Sequence, residues 1–252
     1  MSRMARHGFA LTTALVCAAV SFSSQSLAAE VVLPSTPGLT YRIAYVTSGT
    51  TLAESSDINT YNQFVIAHAP TGDPRLAAAT WTAIAGTRAT IAIDNTLTGS
   101  TDPSYPIYDT AGDLIVSSNA ELWSGQLLNP ICYDEYGDQL SNRLVWTGTM
   151  GNGADAYGFA LGGGTFPVFG YCWRSDSLWA IVNPSDQYEW SYLSLYGLSS
   201  PIANPVPEPG ALSLLLAGGL CLWGYGWRRR YGKRNPIRRS APVAPDQQRK
   251  HT

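Results

Sequence analysis

The chain has 252 residues and a net charge of −2, room for one ordinary domain plus targeting segments. The charge is segregated: residues 30–205 carry five arginines against sixteen Asp and Glu, a net of −11, while residues 228–252 carry nine Lys or Arg and one acid, Asp246. An acidic domain repels a phosphate backbone, which argues against nucleic acid as its partner.

The N-terminus reads as a signal peptide over residues 1–28. Arg3, Arg6 and His7 form a basic start, residues 9–22 are uncharged, and Ser26-Leu27-Ala28 places small residues at −3 and −1 of a signal peptidase cut between Ala28 and Ala29. Val16 stands before Cys17 where a lipoprotein signal needs a small residue. The mature domain, residues 29–205, then lies outside the cytoplasm. It keeps two cysteines, Cys132 and Cys172. In an oxidising compartment these are a candidate disulfide, the alternative being two separate buried thiols. Closing a loop of about 40 residues is worth roughly 3–4 kcal/mol in the chain-entropy model.

Along the domain, residues 41–47 (YRIAYVT) are aromatic and β-branched and predict a strand. Ser55, Ser56 and Asp57 offer helix caps, and Ile58, Tyr61, Phe64, Val65 and His68 follow at helical spacing, so a helix is expected over 57–69. Residues 76–81 suit a short helix or a strand. Residues 87–93 alternate and predict a strand, followed by a polar loop over 95–106. A turn at 109–113 between two apolar pieces predicts a hairpin. A short capped helix follows at 120–123, and strands are expected over 144–149, 178–182 and 193–198. The fold class is α+β: a mostly antiparallel sheet with one or two helices.

Asp134, Glu135 and Asp138 gather carboxylates beside Gly137, which suits calcium, yet the spacing departs from the EF-hand loop, and a solvated surface loop is the simpler reading. Two cysteines and the domain's one histidine, His68, give no paired metal spacing, so neither metal nor cofactor is expected. A packed helix histidine is the expectation for His68. No Gly-x-Ser-x-Gly surrounds any serine, so no catalytic residues and no enzyme are expected; sixteen acids leave a carboxylate-pair hydrolase formally open. Tryptophans at strand and short-helix positions are expected in the core. Trp190, whose neighbours are polar, is the expected exception.

The C-terminal stretch begins with Val206-Pro207-Glu208-Pro209-Gly210, which continues neither helix nor strand. Residues 211–227 hold no charge, and Arg228, Arg229 and Arg230 then stop the run. A helix of 17 residues rises about 26 Å, near the short limit for a bilayer, so a transmembrane helix over 211–227 is expected, with a basic cytoplasmic tail over 231–252. The order Pro-Glu-Pro, apolar run, arginine cluster resembles the PEP-CTERM sorting signal of Gram-negative bacteria. The resemblance implies export, temporary anchoring in the inner membrane, and processing by an exosortase near residues 207–209. Release to the cell envelope or extracellular matrix follows. The first expectation for the domain itself is a structural or adhesive component associated with exopolysaccharide or biofilm. The extension over 231–252 departs from the family, whose chains stop soon after the basic cluster. The domain also resembles C-type-lectin-like domains through strand 41–47, helix 57–69, Trp146-Thr147-Gly148, Cys172-Trp173 and Leu178-Trp179-Ala180, which implies a carbohydrate-binding module as the alternative. Its usual calcium and sugar ligands, Glu-Pro-Asn or Gln-Pro-Asp followed by Trp-Asn-Asp, are missing.

Overall fold

A computed structural model describes residues 30–164, 166–182, 187–206 and 210–232. The described residues divide into two units, one holding residues 30–35 and 39–203, the other holding 36–38 and those from Asn204 on.

The first unit is built on β1 (Thr40–Val46), a strand buried along almost its whole length. Its side chains alternate between two cores. Tyr41, Ile43 and Tyr45 join a cluster with Tyr61, Val65, Trp81, Trp146 and Phe169. Ala44 and Val46 join a second with Ile107, Ile115, Val145, Trp179 and Tyr196. A strand covered on both faces reads as a near-continuous apolar run, which is why 41–47 stands out in the sequence. The N-terminal helix α1 (Ile58–Ala67) covers the first face; Asp57 caps it, accepting from the Asn59 N–H at 3.0 Å.

The other elements follow as α2 (Pro74–Ala78), β2 (Trp81–Ala83), α3 (Ala92–Thr96), β3 (Ile107–Asp109), β4 (Leu114–Val116), α4 (Asn119–Leu122), β5 (Leu144–Trp146) and β6 (Phe169–Tyr171). After a 3-10 turn at Ser177–Trp179 come β7 (Ser194–Ser199) and β8 (Ile202–Ala203). The sheet order is β4-β3-β1-β7-β5-β6, with β2 also on β7 and β8 on β1. β1 pairs antiparallel with β7 and β8 but parallel with β3, and β5 pairs parallel with β7. The fold is therefore mixed, with antiparallel pairing dominant.

Two glycines permit close approach. A Cβ on Gly197 would lie 2.3 Å from the Tyr45 ring, whose hydroxyl donates to the Val65 carbonyl at 2.6 Å. A Cβ on Gly170 would meet the Trp179 carbonyl at 1.8 Å, so β6 passes directly beneath the 3-10 turn.

Several expectations are corrected. Residues 87–93 are no strand: Thr87 and Thr90 bond each other's backbone in a turn, and Ile91 opens α3. Residues 178–182 are no strand either, because Asp176 accepts the Leu178 N–H and starts the 3-10 turn. In the second unit, residues Ala211–Gly232 form one helix, α5, which runs on through the three arginines. Among the described residues no helix is long and apolar enough to cross a membrane, which corrects the transmembrane expectation for 211–227. The cause lies in the sequence: the uncharged residues include Gly218, Gly219, Gly224 and Gly226, which add no apolar side chain, and the helix carries on into Arg228, Arg229 and Arg230.

Candidate functional site

The first candidate is the sorting stretch. Val206 is exposed, α5 begins at Ala211, and Leu214, Leu215, Leu220, Leu222, Trp223 and Trp227 all present apolar surface, with Trp223 and Trp227 stacked. Arg228 is exposed at its C-terminal side. Pro207, Glu208 and Pro209 lie outside the described residues, as do Ala28 and Ala29 at the signal cleavage point and the tail over 233–252.

The second candidate is an aromatic surface on the first unit. Between residues 157 and 192, Tyr157, Phe159, Trp173, Tyr188, Trp190 and Tyr192 are all exposed. Trp190 is 53% exposed and stacks on Tyr188, ring centroids 4.5 Å apart and planes 13° apart; Phe166 lies 4.8 Å beyond. The turn carrying them is fixed by the backbone: the Ser191 N–H donates to Tyr188 and the Ala53 N–H to Glu189. A second stack joins Trp173 to Tyr171 at 4.6 Å and 27°. It continues inward through Phe169 to Trp146, so Trp173 is braced against the core. Sequence reasoning singles out Trp190 by its polar neighbours and misses Trp173, whose position beside Cys172 looks like core. Rigid exposed rings offer flat apolar faces of negative potential at low ordering cost, the surface that apolar C–H faces of a ligand stack on.

The carboxylate loop is not a calcium cage, and only part of it is solvated, Asp138 and Tyr136 being exposed. Asp134 and Glu135 are buried. One Asp134 oxygen accepts the Tyr136 and Asp138 N–H groups at 2.9 Å each, while burial raises the pKa of its carboxyl. Glu135 accepts from the Ser48 hydroxyl at 2.5 Å and the Ser48 N–H at 2.8 Å. These acids terminate backbone and serine donors instead of converging. Among the described residues no group of three or more His, Cys, Asp or Glu is arranged to hold a metal.

His68 lines a cavity of about 540 Å3 with Glu30 and Glu135. Its Nδ1 lies 2.9 Å from the Phe64 carbonyl and its ring packs on Phe64 at 4.3 Å. The Ser48 hydroxyl points to Glu135, and among the described residues no hydrogen bond joins His68 to a serine or a carboxylate.

Cys132 and Cys172 meet in the second core as thiols with sulfurs 2.7 Å apart, and Cys132 also donates to the Leu140 carbonyl. The neighbouring sulfur and burial push the Cys132 thiol up.

With this geometry in hand, comparison with known proteins assigns one segment. Residues 205–230 match the family model of the PEP-CTERM protein-sorting motif. The match spans the Pro-Glu-Pro stretch, the apolar run and the arginines, and it supports an exported chain sorted by an exosortase and held transiently at the membrane by its C-terminus. No curated protein matches the chain.

Proposed function

We propose that this chain is an exported cell-envelope protein. Signal peptidase cuts after Ala28, the segment 211–227 holds the chain briefly at the inner membrane, and an exosortase processes it near residues 207–209. The released domain is a structural or adhesive component of the extracellular matrix, associated with exopolysaccharide. The observation that carries the sorting half is the motif match over 205–230. The test replaces Glu208 by Ala and Arg228–Arg230 by Ser, then fractionates the cells. The variant should stay unprocessed or missorted. Mature-sized protein in the medium at the wild-type level would refute the reading.

A second reading, a carbohydrate-binding module, is favoured by the exposed Tyr188–Trp190 stack. On this reading the aromatic surface holds the domain to its polysaccharide, and the domain carries out no catalytic step. A glycan array probed with the purified protein, with and without calcium, checks it; an array silent under both conditions removes it.

A further inference from the structure

Arg42 sits on β1 where alternation turns it into the core, and only 4% of it is exposed. Burying a guanidinium is costly unless its charge is matched. Among the described residues no carboxylate lies within ion-pair distance: the ion pairs there are Arg75–Asp73 and Arg174–Asp176. Arg42 is held by carbonyls instead, with Nε donating to Ser199 at 2.7 Å, one Nη to Thr96 at 2.8 Å and the other to Leu97 at 3.4 Å. A guanidinium has five N–H donors, so two remain beyond these three bonds. Burial lowers its pKa to about 10, opposed by the nearby charge of Asp102.

Arg42 borders a cavity of about 200 Å3, together with Thr80, Thr82, Asp102, Tyr105 and Ser200. The volume is below the roughly 300 Å3 at which drug-sized sites begin, so the cavity suits one small ring and not a chain. Its lining mixes donors and acceptors. One Asp102 oxygen accepts the Gly99 N–H at 2.8 Å, which fixes the carboxylate and leaves the other oxygen available. The hydroxyls of Thr80, Thr82 and Tyr105 can each donate and accept. An anion would gain from Arg42 but meet Asp102 and an exported segment of net charge −11. A neutral compound with adjacent hydroxyls satisfies both groups at once, accepting from Arg42 and donating to Asp102.

We propose that the cavity bounded by Arg42 and Asp102 is a binding site for a single neutral hexopyranose, a terminal or branch sugar of the polymer the domain contacts. It deepens the carbohydrate-binding reading and shares its ligand class, but it is a separate site from the Tyr188–Trp190 stack and can fail separately.

The experiment uses the full-length chain in a zwitterionic, sugar-free detergent. Methyl α-glucoside, methyl α-galactoside, methyl α-mannoside, glucuronate and inorganic phosphate are titrated by calorimetry and ligand-observed NMR. At least one neutral hexoside should saturate at millimolar concentration, more tightly than glucuronate or phosphate. Asp102→Asn should weaken it by about ten- to a hundred-fold, the loss of a hydrogen bond to a charged group. Thr82→Val and Tyr105→Phe, which leave the Arg42 carbonyl bonds in place, carry the same comparison should Asp102→Asn fail to fold. Trp190→Ala should lower retention on polysaccharide, and in its background Asp102→Asn should still weaken hexoside binding by the same factor. No saturable neutral hexoside, tighter binding of glucuronate or phosphate, or wild-type affinity in every folded cavity variant overturns the proposal. Loss of polysaccharide retention in Trp190→Ala with no hexoside binding in the wild type would sink this site while leaving the aromatic reading standing.

Discussion

Asp109 ends β3 in the core with no exposed surface. One oxygen accepts the Ala111 and Asp113 N–H groups at 3.0 and 2.8 Å, while the other is buried with no hydrogen-bond partner among the described residues. Burial outweighs the backbone donors, and the pKa rises from 3.8 to about 6, with the Asp113 charge adding to the rise. An acid whose folded pKa is raised binds its proton more tightly in the native state. Its contribution to stability is full below pH about 4, where both states are protonated, and is lost as pH climbs through about 6. A shift of about two pH units at 1.4 kcal/mol each gives roughly 3 kcal/mol lost between acid and neutral pH. Asp109→Asn keeps the acceptor for Ala111 and Asp113 and removes the charge. Its new amide donor adds a cost that does not vary with pH. Denaturant unfolding of both proteins from pH 4 to pH 7.5 should therefore show the variant gaining on the wild type by about 3 kcal/mol across that window, most of it between pH 4 and 6. A difference that stays flat with pH would refute the assignment of a buried, unpartnered carboxyl.

Oxidising the Cys132–Cys172 pair should add about 4 kcal/mol through a loop of 40 residues, read as a drop in Tm under reductant that Cys132→Ser abolishes; alkylation that labels both thiols in exported protein would refute the bridge. Gly197→Ala should cost about 2–4 kcal/mol, because a Cβ 2.3 Å from Tyr45 must displace the ring and its bond to Val65; an unchanged unfolding midpoint would show that β1 and β7 separate freely there. Trp190→Ala should change stability by less than about 1 kcal/mol, given its exposure, yet reduce retention on polysaccharide at both low and high salt. Retention that falls with salt in the wild type would point to charge instead of stacking.

What the sequence discloses follows from how local each cause is. β1 is legible because both its faces are buried, and α1 because Asp57 caps an apolar stripe carried by Ile58, Tyr61 and Val65. The hairpin of β3 and β4 is legible because one turn joins it. The parallel pairings of β1 with β3 and β5 with β7 are not, since nothing near either strand names its partner. Residues 87–93 alternate like a strand, but the bonds between Thr87 and Thr90 fold the chain back after a single bridge from Thr87 to Leu161, so no ladder extends along them. Asp134 and Glu135 look like surface acids because their partners, the amides at 136 and 138 and Ser48, are supplied by a loop conformation that composition does not encode.

The aromatic surface and the charge distribution constrain each other. Asp109, Asp134 and Glu135 are spent inside the fold, yet the exported segment remains strongly acidic and its described ion pairs consume two of its five arginines. On the carbohydrate-binding reading, a net charge of −11 opposes holding such a domain to an acidic polymer by charge. On that reading attachment would come from uncharged surface, and the rings of Trp173, Tyr188 and Trp190 are stacked and exposed. Trp173 is backed by Tyr171 and through it by the core, and Trp190 lies flat on Tyr188, so both present a stacked ring to solvent. The sorting motif supports export and a transient hold at the membrane; on the carbohydrate-binding reading, weak stacking contacts repeated over many copies would suffice to retain the domain on a polymer.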